Sequence, residues 1–128
     1  MQHEELTEAN IGAAYRVHNT LGFGFLESVY ERSLFIELRG QGLAAERQRP
    51  IQVRYAGQIV GDFFADLLVE DSNIVELKSV STLAKAHEQQ LVNYLTATGK
   101  DVGVLINFGP NKVEVKRKVR VLPQNDEF

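Results

Sequence analysis

A chain of 128 residues with 44% apolar content, seven Phe and four Tyr can bury one sizeable core, while a net charge of −3 is not that of a generic nucleic-acid binder, whose affinity comes from Lys and Arg neutralising phosphates. The absence of Cys excludes disulfides and thiolate metal sites, which leaves hard oxygen ligands and suits Mg²⁺ or Mn²⁺. No stretch approaches the roughly 20 apolar residues that span a bilayer, and Met1-Gln2-His3-Glu4-Glu5 lacks the basic and apolar parts of a signal peptide, so a cytoplasmic protein with no membrane partner is expected.

Helices are predicted over residues 6–21 and 26–41. On the first, His18 continues the apolar flank of Ile11 and Ala14, where a lone histidine is either a satisfied core residue or part of a site. On the second, Glu27 begins the stripe Tyr30, Leu34, Leu38, which reads as a buried face. The macrodipole and free amides of a first helical turn favour an acidic residue there. That explains the charge of Glu27 but not its phase, and the phase points toward a metal or its neighbours.

Strands follow over 47–55 and 58–69, turning at Ala56-Gly57. Asp66 lies in the second, among Phe63, Phe64, Leu67 and Leu68, where a carboxylate must be paired, hydrogen-bonded or metal-bound. The turn signal Glu70-Asp71-Ser72-Asn73 folds this strand back antiparallel on a third, at 74–80, so that Asp66 comes near Glu76 or Lys78. Residues two apart on a strand share a face, so Glu76 and Lys78 are neighbours while Val75 and Leu77 face the other way. Two carboxylates and a lysine on one spot can hold a divalent metal and activate water against a phosphodiester. The alternative is a structural salt bridge from Lys78 to Glu76 or Asp66.

A helix is predicted over 82–98, capped by Ser81 or Thr82 and stopped by Gly99. Ala84, Leu91, Leu95 and Thr98 form one stripe, and His87, Gln90 and Tyr94 form the adjacent polar stripe, placed above the carboxylates. His87 could meet phosphate or Glu88. Strands over 101–108 and 112–122 complete an α/β fold, a mixed β-sheet with helices packed on it. Residues 1–123 form one domain and 124–128 a tail. The basic clusters Arg47, Arg49, Arg54 and Lys112, Lys116, Arg117, Lys118, Arg120 read either as a DNA-facing ridge or as charged edge strands that discourage aggregation.

Gly24-Phe25-Leu26-Glu27-Ser28-Val29-Tyr30 matches a GxxExxY motif; His18 precedes it, and Asp66, Val75-Glu76-Leu77-Lys78, His87 with Gln90 to Tyr94, and Gly103-Val104-Leu105-Ile106-Asn107-Phe108-Gly109 follow in order. Over residues 11–117 the chain resembles the bacterial GxxExxY family of the PD-(D/E)XK nuclease superfamily, with Ala65-Asp66 in place of Pro-Asp. The resemblance implies a restriction-endonuclease-like fold and a metal-dependent nuclease. Its catalytic residues would be Asp66, Glu76, Lys78, Gln90 and Tyr94. Mg²⁺ or Mn²⁺ would be held by Asp66, Glu76, Glu27 and the Leu77 carbonyl, with His18 a further candidate. The Gln-x-x-x-Tyr element resembles the exonuclease branch found in recombination helicases, in which an N-terminal helix adds an acidic residue or histidine to the metal. The expected partner is nucleic acid, DNA ahead of RNA, with a homodimer left open. Two other readings use the same residues: a non-catalytic binding or regulatory module, and a phosphoesterase acting on a small molecule.

Overall fold

The computed structural model describes residues 3–120. Its elements are α1 (His3–Leu21), α2 (Glu27–Gly40), β1 (Ala45–Tyr55), β2 (Gln58–Val69), β3 (Asn73–Lys78), α3 (Lys85–Thr98), β4 (Val102–Phe108) and β5 (Val113–Val119). The tail at 124–128 and the last residues of the predicted final strand lie outside the described residues.

The five strands form one sheet in sequence order. Strands β1, β2 and β3 are antiparallel, β4 runs parallel to β3 after the α3 crossover, and β5 returns antiparallel as an edge. This is the expected mixed α/β sheet flanked by helices. A parallel pair cannot be joined by a tight turn, so the β3–β4 connection has to cross a face of the sheet, and α3 does so.

Each face of the sheet carries a core. On one side Leu6, Ala13, Ala14 and Val17 of α1 and Tyr30, Leu34 and Leu38 of α2 pack on Leu67, Val69, Val75, Leu77, Val104, Ile106 and Phe108. On the other, Leu91, Tyr94 and Leu95 of α3 pack on Ile51, Ala65, Leu68, Ile74 and Leu105. With both faces covered, β3 and β4 are buried along nearly their whole length, as central strands between two helical layers must be. Gly103 permits the α3 contact: a Cβ there would lie 2.8 Å from Leu91 Cδ1 and 2.9 Å from the Ile74 carbonyl oxygen.

Four expectations are corrected. The third helix begins at Lys85 rather than residue 82, with Ala84 at its N-cap position, so neither Ser81 nor Thr82 caps it. Strand β3 ends at Lys78, because the backbone of Val80 turns to the side chain of Asn107. On β2 only Ala65 to Val69 is enclosed, and Phe63 and Phe64 stay 42% and 55% exposed. Glu27 does not sit on the buried face of α2. It is exposed at the first position of the helix, and the buried acid of α2 is Glu31.

Candidate functional site

The β2–β3 ladder pairs Leu67 with Val75, Leu68 with Ile74 and Val69 with Asn73, and then stops. The next residues are Asp66 and Glu76. Their side chains take over the bonding: the Asp66 amide donates to Glu76 Oε1 at 3.1 Å, and the Leu77 amide donates to Asp66 Oδ2 at 2.8 Å. Each strand thus satisfies a backbone N–H with the other strand's carboxylate instead of its carbonyl, and the strands part at this point.

Strand β1 departs from regularity at the same level. Arg47 pairs with Leu67 and Arg49 with Ala65, while the intervening Gln48 has φ 54° and leaves Asp66 unpaired on that side. Ala65 packs into the α3-side core and Leu67 into the opposite one, so the alternation of β2 is interrupted at Asp66. A left-handed conformation at a non-glycine residue is costly and has to be held by its surroundings. Here Gln48 donates from its amide to Glu31 Oε1, while the other oxygen of Glu31 takes Arg47 Nε at 3.1 Å. Sequence reasoning missed Glu31 and Gln48; they lie 17 residues apart, and no local pattern links them.

Electrostatics at the pair is dominated by burial. Glu76 is 5% exposed, and desolvation together with the neighbouring Asp66 charge pushes its carboxyl up to about 9. The partly buried Asp66 is also raised, by desolvation; the Leu77 amide opposes the shift and the charge of Glu27 adds to it. At neutral pH Glu76 therefore keeps its proton. The influence of Glu27 on Asp66 locates the start of α2 beside the carboxylates.

Lys78 shares the face of Glu76, is half-buried and, among the described residues, makes no ion pair within 4.0 Å. The structural salt bridge weighed from the sequence is not formed. The ammonium still acts on both acids at longer range, lowering their pKa values. Tyr94 of α3 is 7% exposed, and its phenol is raised by desolvation and by the charges of Glu76 and Asp66. It therefore lies over the pair as a neutral hydroxyl. Gln90, one turn earlier, is exposed on the rim of the cleft that Tyr94 also lines.

His18 bonds to the turn that follows β4. Its Nε2 meets the Gly109 carbonyl at 2.8 Å and its ring stacks near Phe108 at 6.4 Å. Because a carbonyl can only accept, Nε2 carries the proton and Nδ1 keeps the lone pair. His87 does not pair with Glu88: its Nδ1 accepts the Ala84 amide at the start of α3, and Glu88 pairs with Lys118 at 2.6 Å.

Several framing residues were not foreseen. Asn107, fully buried and opposite Lys78 in register, donates to the Val80 carbonyl at 2.8 Å and to Glu114 at 3.0 Å, and accepts the Val80 amide at 2.9 Å. It holds the chain just beyond Lys78. Tyr30 donates to the Gly22 carbonyl at 2.6 Å, accepts the Phe25 amide at 3.3 Å and stacks on Phe108 at 4.3 Å. Ser79 donates to the Phe25 carbonyl at 2.9 Å. The loop before Glu27 is thereby tied to the end of β3. The signal in the sequence was the fixed spacing of Gly, Glu27 and Tyr30, which marks a loop closed on its own helix.

Half of the basic-cluster residues form ion pairs among the described residues: Arg47 with Glu31, Arg49 with Glu46, Lys118 with Glu88 and Arg120 with Asp101. Arg54, Lys112, Lys116 and Arg117 form none there, so a charged edge on β5 and a DNA-facing ridge both remain compatible with the structure.

Among the described residues no three acidic or histidine side chains converge as a ready-made metal cluster. The donor chemistry nevertheless fits a hard divalent ion. Two carboxylates forced together in a low-dielectric pocket, one of them protonated only because its charge is unopposed, present the environment that such a cation relieves. Mg²⁺ in particular binds through one or two carboxylates and keeps several waters.

The family model of the PD-(D/E)XK nuclease superfamily matches residues 4–118. No curated protein sequence matches the chain. Among solved structures, SSO0001 superposes with a TM-score of 0.59 at 20% identity over 94% of this chain; the chain spans 60% of that protein. LHK-Exo in complex with dAMP superposes with a TM-score of 0.50 at 14% identity, over 92% of this chain and 83% of that one. LHK-Exo is an alkaline exonuclease from Laribacter hongkongensis. At these identities the likeness is one of fold.

Proposed function

Because the chain belongs to the PD-(D/E)XK nuclease superfamily, we propose that it is a metal-dependent nuclease of the GxxExxY type, cutting phosphodiester bonds of nucleic acid, DNA ahead of RNA, at Asp66, Glu76 and Lys78. The observation that carries the reading is the carboxylate pair at the parted strands. Asp66 and Glu76 are tied reciprocally to the Leu77 and Asp66 amides at 2.8 and 3.1 Å, with an unpaired lysine on the same face. A fold that needed only stability would pair or replace such charges, since a buried acid held near pKa 9 costs stability when it ionises.

Asp66, Glu76 and the Leu77 carbonyl would hold the ion, with Glu27 within electrostatic reach of Asp66. A bound divalent cation supplies Lewis acidity to the phosphate and lowers the pKa of a coordinated water. The protein's own part is orientation and charge. The ammonium of Lys78, with no ion pair among the described residues, can position the attacking water and offset negative charge growing on the phosphate; a fixed cation in a water-poor site contributes on the order of several kcal/mol. Tyr94, kept protonated by its burial and by the nearby acids, would offer a hydroxyl donor to the substrate. Gln90 at the rim is placed to orient phosphate. Asn107 and Ser79 fix the backbone on which Lys78 stands. His18, with Nδ1 left as its lone-pair nitrogen, remains a candidate further ligand. That LHK-Exo was solved with a deoxynucleotide agrees with DNA as the polymer.

The test is cleavage of labelled single- and double-stranded DNA and RNA in Mg²⁺ or Mn²⁺, beside EDTA and Glu76→Ala. Metal-dependent cutting that disappears in the variant is expected, and no cutting of any polymer would refute the proposal. The acidic balance of the chain keeps one second reading in view, a phosphoesterase for a small molecule, which would cut a nucleotide ester while leaving polymers intact.

A further inference from the structure

We propose that the cleft between the β1–β2 hairpin and α3 seats an unpaired nucleobase of the substrate strand on the ring of Phe63, next to the phosphodiester facing the carboxylates. This rests on the nuclease reading above and adds the form of nucleic acid that the site accepts.

The hairpin supplies the platform. Strand β2 meets β3 only from Leu67 to Val69, whereas its pairing with β1 runs on to Tyr55 and Gln58. The outer half of the hairpin is therefore an arm that extends past the sheet. On the face turned to α3 it carries Phe63, 42% exposed, with its ring centroid 5.7 Å from that of Tyr94 and the planes tilted by 41°. Tyr94 is thus a wall common to the carboxylate site and to a cleft of about 870 Å³. The seat of the ring is built into the backbone. Gly61 lies two residues before Phe63 on the same side of the strand, and a Cβ there would come within 2.8 Å of the ring, so glycine keeps the space that the ring occupies.

The remaining lining selects the ligand. Gln52, Gln89, Gln90 and Asn93 surround the aromatic wall with amide groups, and Arg54 is the one charged residue among those that line the cleft. Amides match the mixed donors and acceptors along a base edge, and an aromatic ring matches its face. A groove that gripped a duplex by its phosphates would need a track of cations, because each neutralised phosphate supplies part of the affinity. Here one arginine faces the cleft, and Lys118 and Arg120 on the far edge are already paired with Glu88 and Asp101. A base can stack on a protein ring only after leaving its own stack, so the chemistry favours an unpaired strand over a duplex. An aliphatic peptide would leave the amide rim unused.

The experiment measures binding in Ca²⁺, a hard cation able to occupy the carboxylates. The probes are a single-stranded oligonucleotide carrying 2-aminopurine, the same sequence as a duplex, wild-type protein and Phe63→Leu. Leucine keeps the apolar bulk and removes the ring; unchanged thermal unfolding of the variant shows that the fold is intact. The expected result is a change in aminopurine fluorescence on binding wild type, with affinity for the single strand falling on the order of tenfold in Phe63→Leu and affinity for the duplex unaltered. Equal affinity of the two proteins for the single strand, an equal loss on both probes, or binding of neither probe by wild type would overturn the inference. Metal-dependent cutting by Phe63→Leu that vanishes in Glu76→Ala would leave the nuclease reading standing even then.

Discussion

Replacing Glu76 with Gln should abolish a pH dependence of stability that the metal-free protein carries. The folded carboxyl titrates near 9 against an ordinary value of 4.5, because burial and the Asp66 charge oppose its ionisation. The folded state therefore holds a proton that the unfolded chain gives up. Stabilisation present below about pH 4.5 is lost steadily as pH rises toward 9, at a limiting slope of about 1.4 kcal/mol per unit. Between pH 5 and 8 this amounts to roughly 4 kcal/mol, and to nearer 2 kcal/mol once local relaxation and water entry are allowed for; in a domain of this size that is a fall in Tm of very roughly 10 °C. Asp66, also raised, adds to the same direction. Glutamine keeps an oxygen to accept the Asp66 amide but never ionises. Thermal unfolding in EDTA across this range should show the slope in wild type and much less of it in Glu76→Gln, and saturating Mg²⁺ should flatten the wild-type curve by favouring the ionised pair. A wild-type protein as stable at pH 8 as at pH 5 in EDTA would refute the buried, protonated state of Glu76.

Lys78→Ala should lower cleavage at least 100-fold while leaving Tm and Mn²⁺ binding nearly unchanged, because the side chain makes no ion pair among the described residues for the fold to lose; steady-state cleavage and calorimetric titration check both halves. Asn107→Ala strips two partners from Val80 and one from Glu114 inside the protein, so urea unfolding should show a loss of roughly 2–4 kcal/mol. Cleavage should fall further than the folded fraction does, since the same bonds fix the backbone beyond Lys78. Gly103→Ala forces a methyl to within 2.8 Å of Leu91 and 2.9 Å of a carbonyl oxygen, and should cost roughly 1–3 kcal/mol of stability with the carboxylate pair left intact.

The layout was legible because it rests on local pattern. Apolar runs at 74–78 and 102–108 announced central strands, the Glu70 to Asn73 turn set the hairpin register, and a helix between two buried strands implied a parallel pair. The convergence of Asp66 with Glu76 followed from counting along that hairpin. What stayed hidden depends on contacts across long stretches of chain. Phe63 and Phe64 looked like core because a strand's composition does not reveal that its partner strand ends early. Glu27 shares its phase with Tyr30, yet it stands exposed at the first position of α2. Glu31 reads as an ordinary surface acid until Arg47 and Gln48 are brought over it. Ser81 and Thr82 had the chemistry of a cap but lie in the extended segment that follows the Val80–Asn107 bonds, so the helix begins later and is capped by the ring of His87.

The charge that argued against a nucleic-acid enzyme from composition has less force at the site itself. Attraction of a phosphate depends on the local potential more than on the net count. Six acidic residues outside the carboxylate pair are neutralised by Arg16, Arg47, Arg49, Lys100, Lys118 and Arg120. Close to the site, Glu76 is held neutral, and the ammonium of Lys78 is left without an ion-pair partner among the described residues. Asp66 and Glu76 would hold a divalent ion with Glu76 ionised, and the ammonium of Lys78 would then stand beside a site whose acids are neutralised. Phosphate affinity of this site should therefore rise with metal occupancy, and a chain with an overall charge of −3 can still attract a polyanion where the strands part.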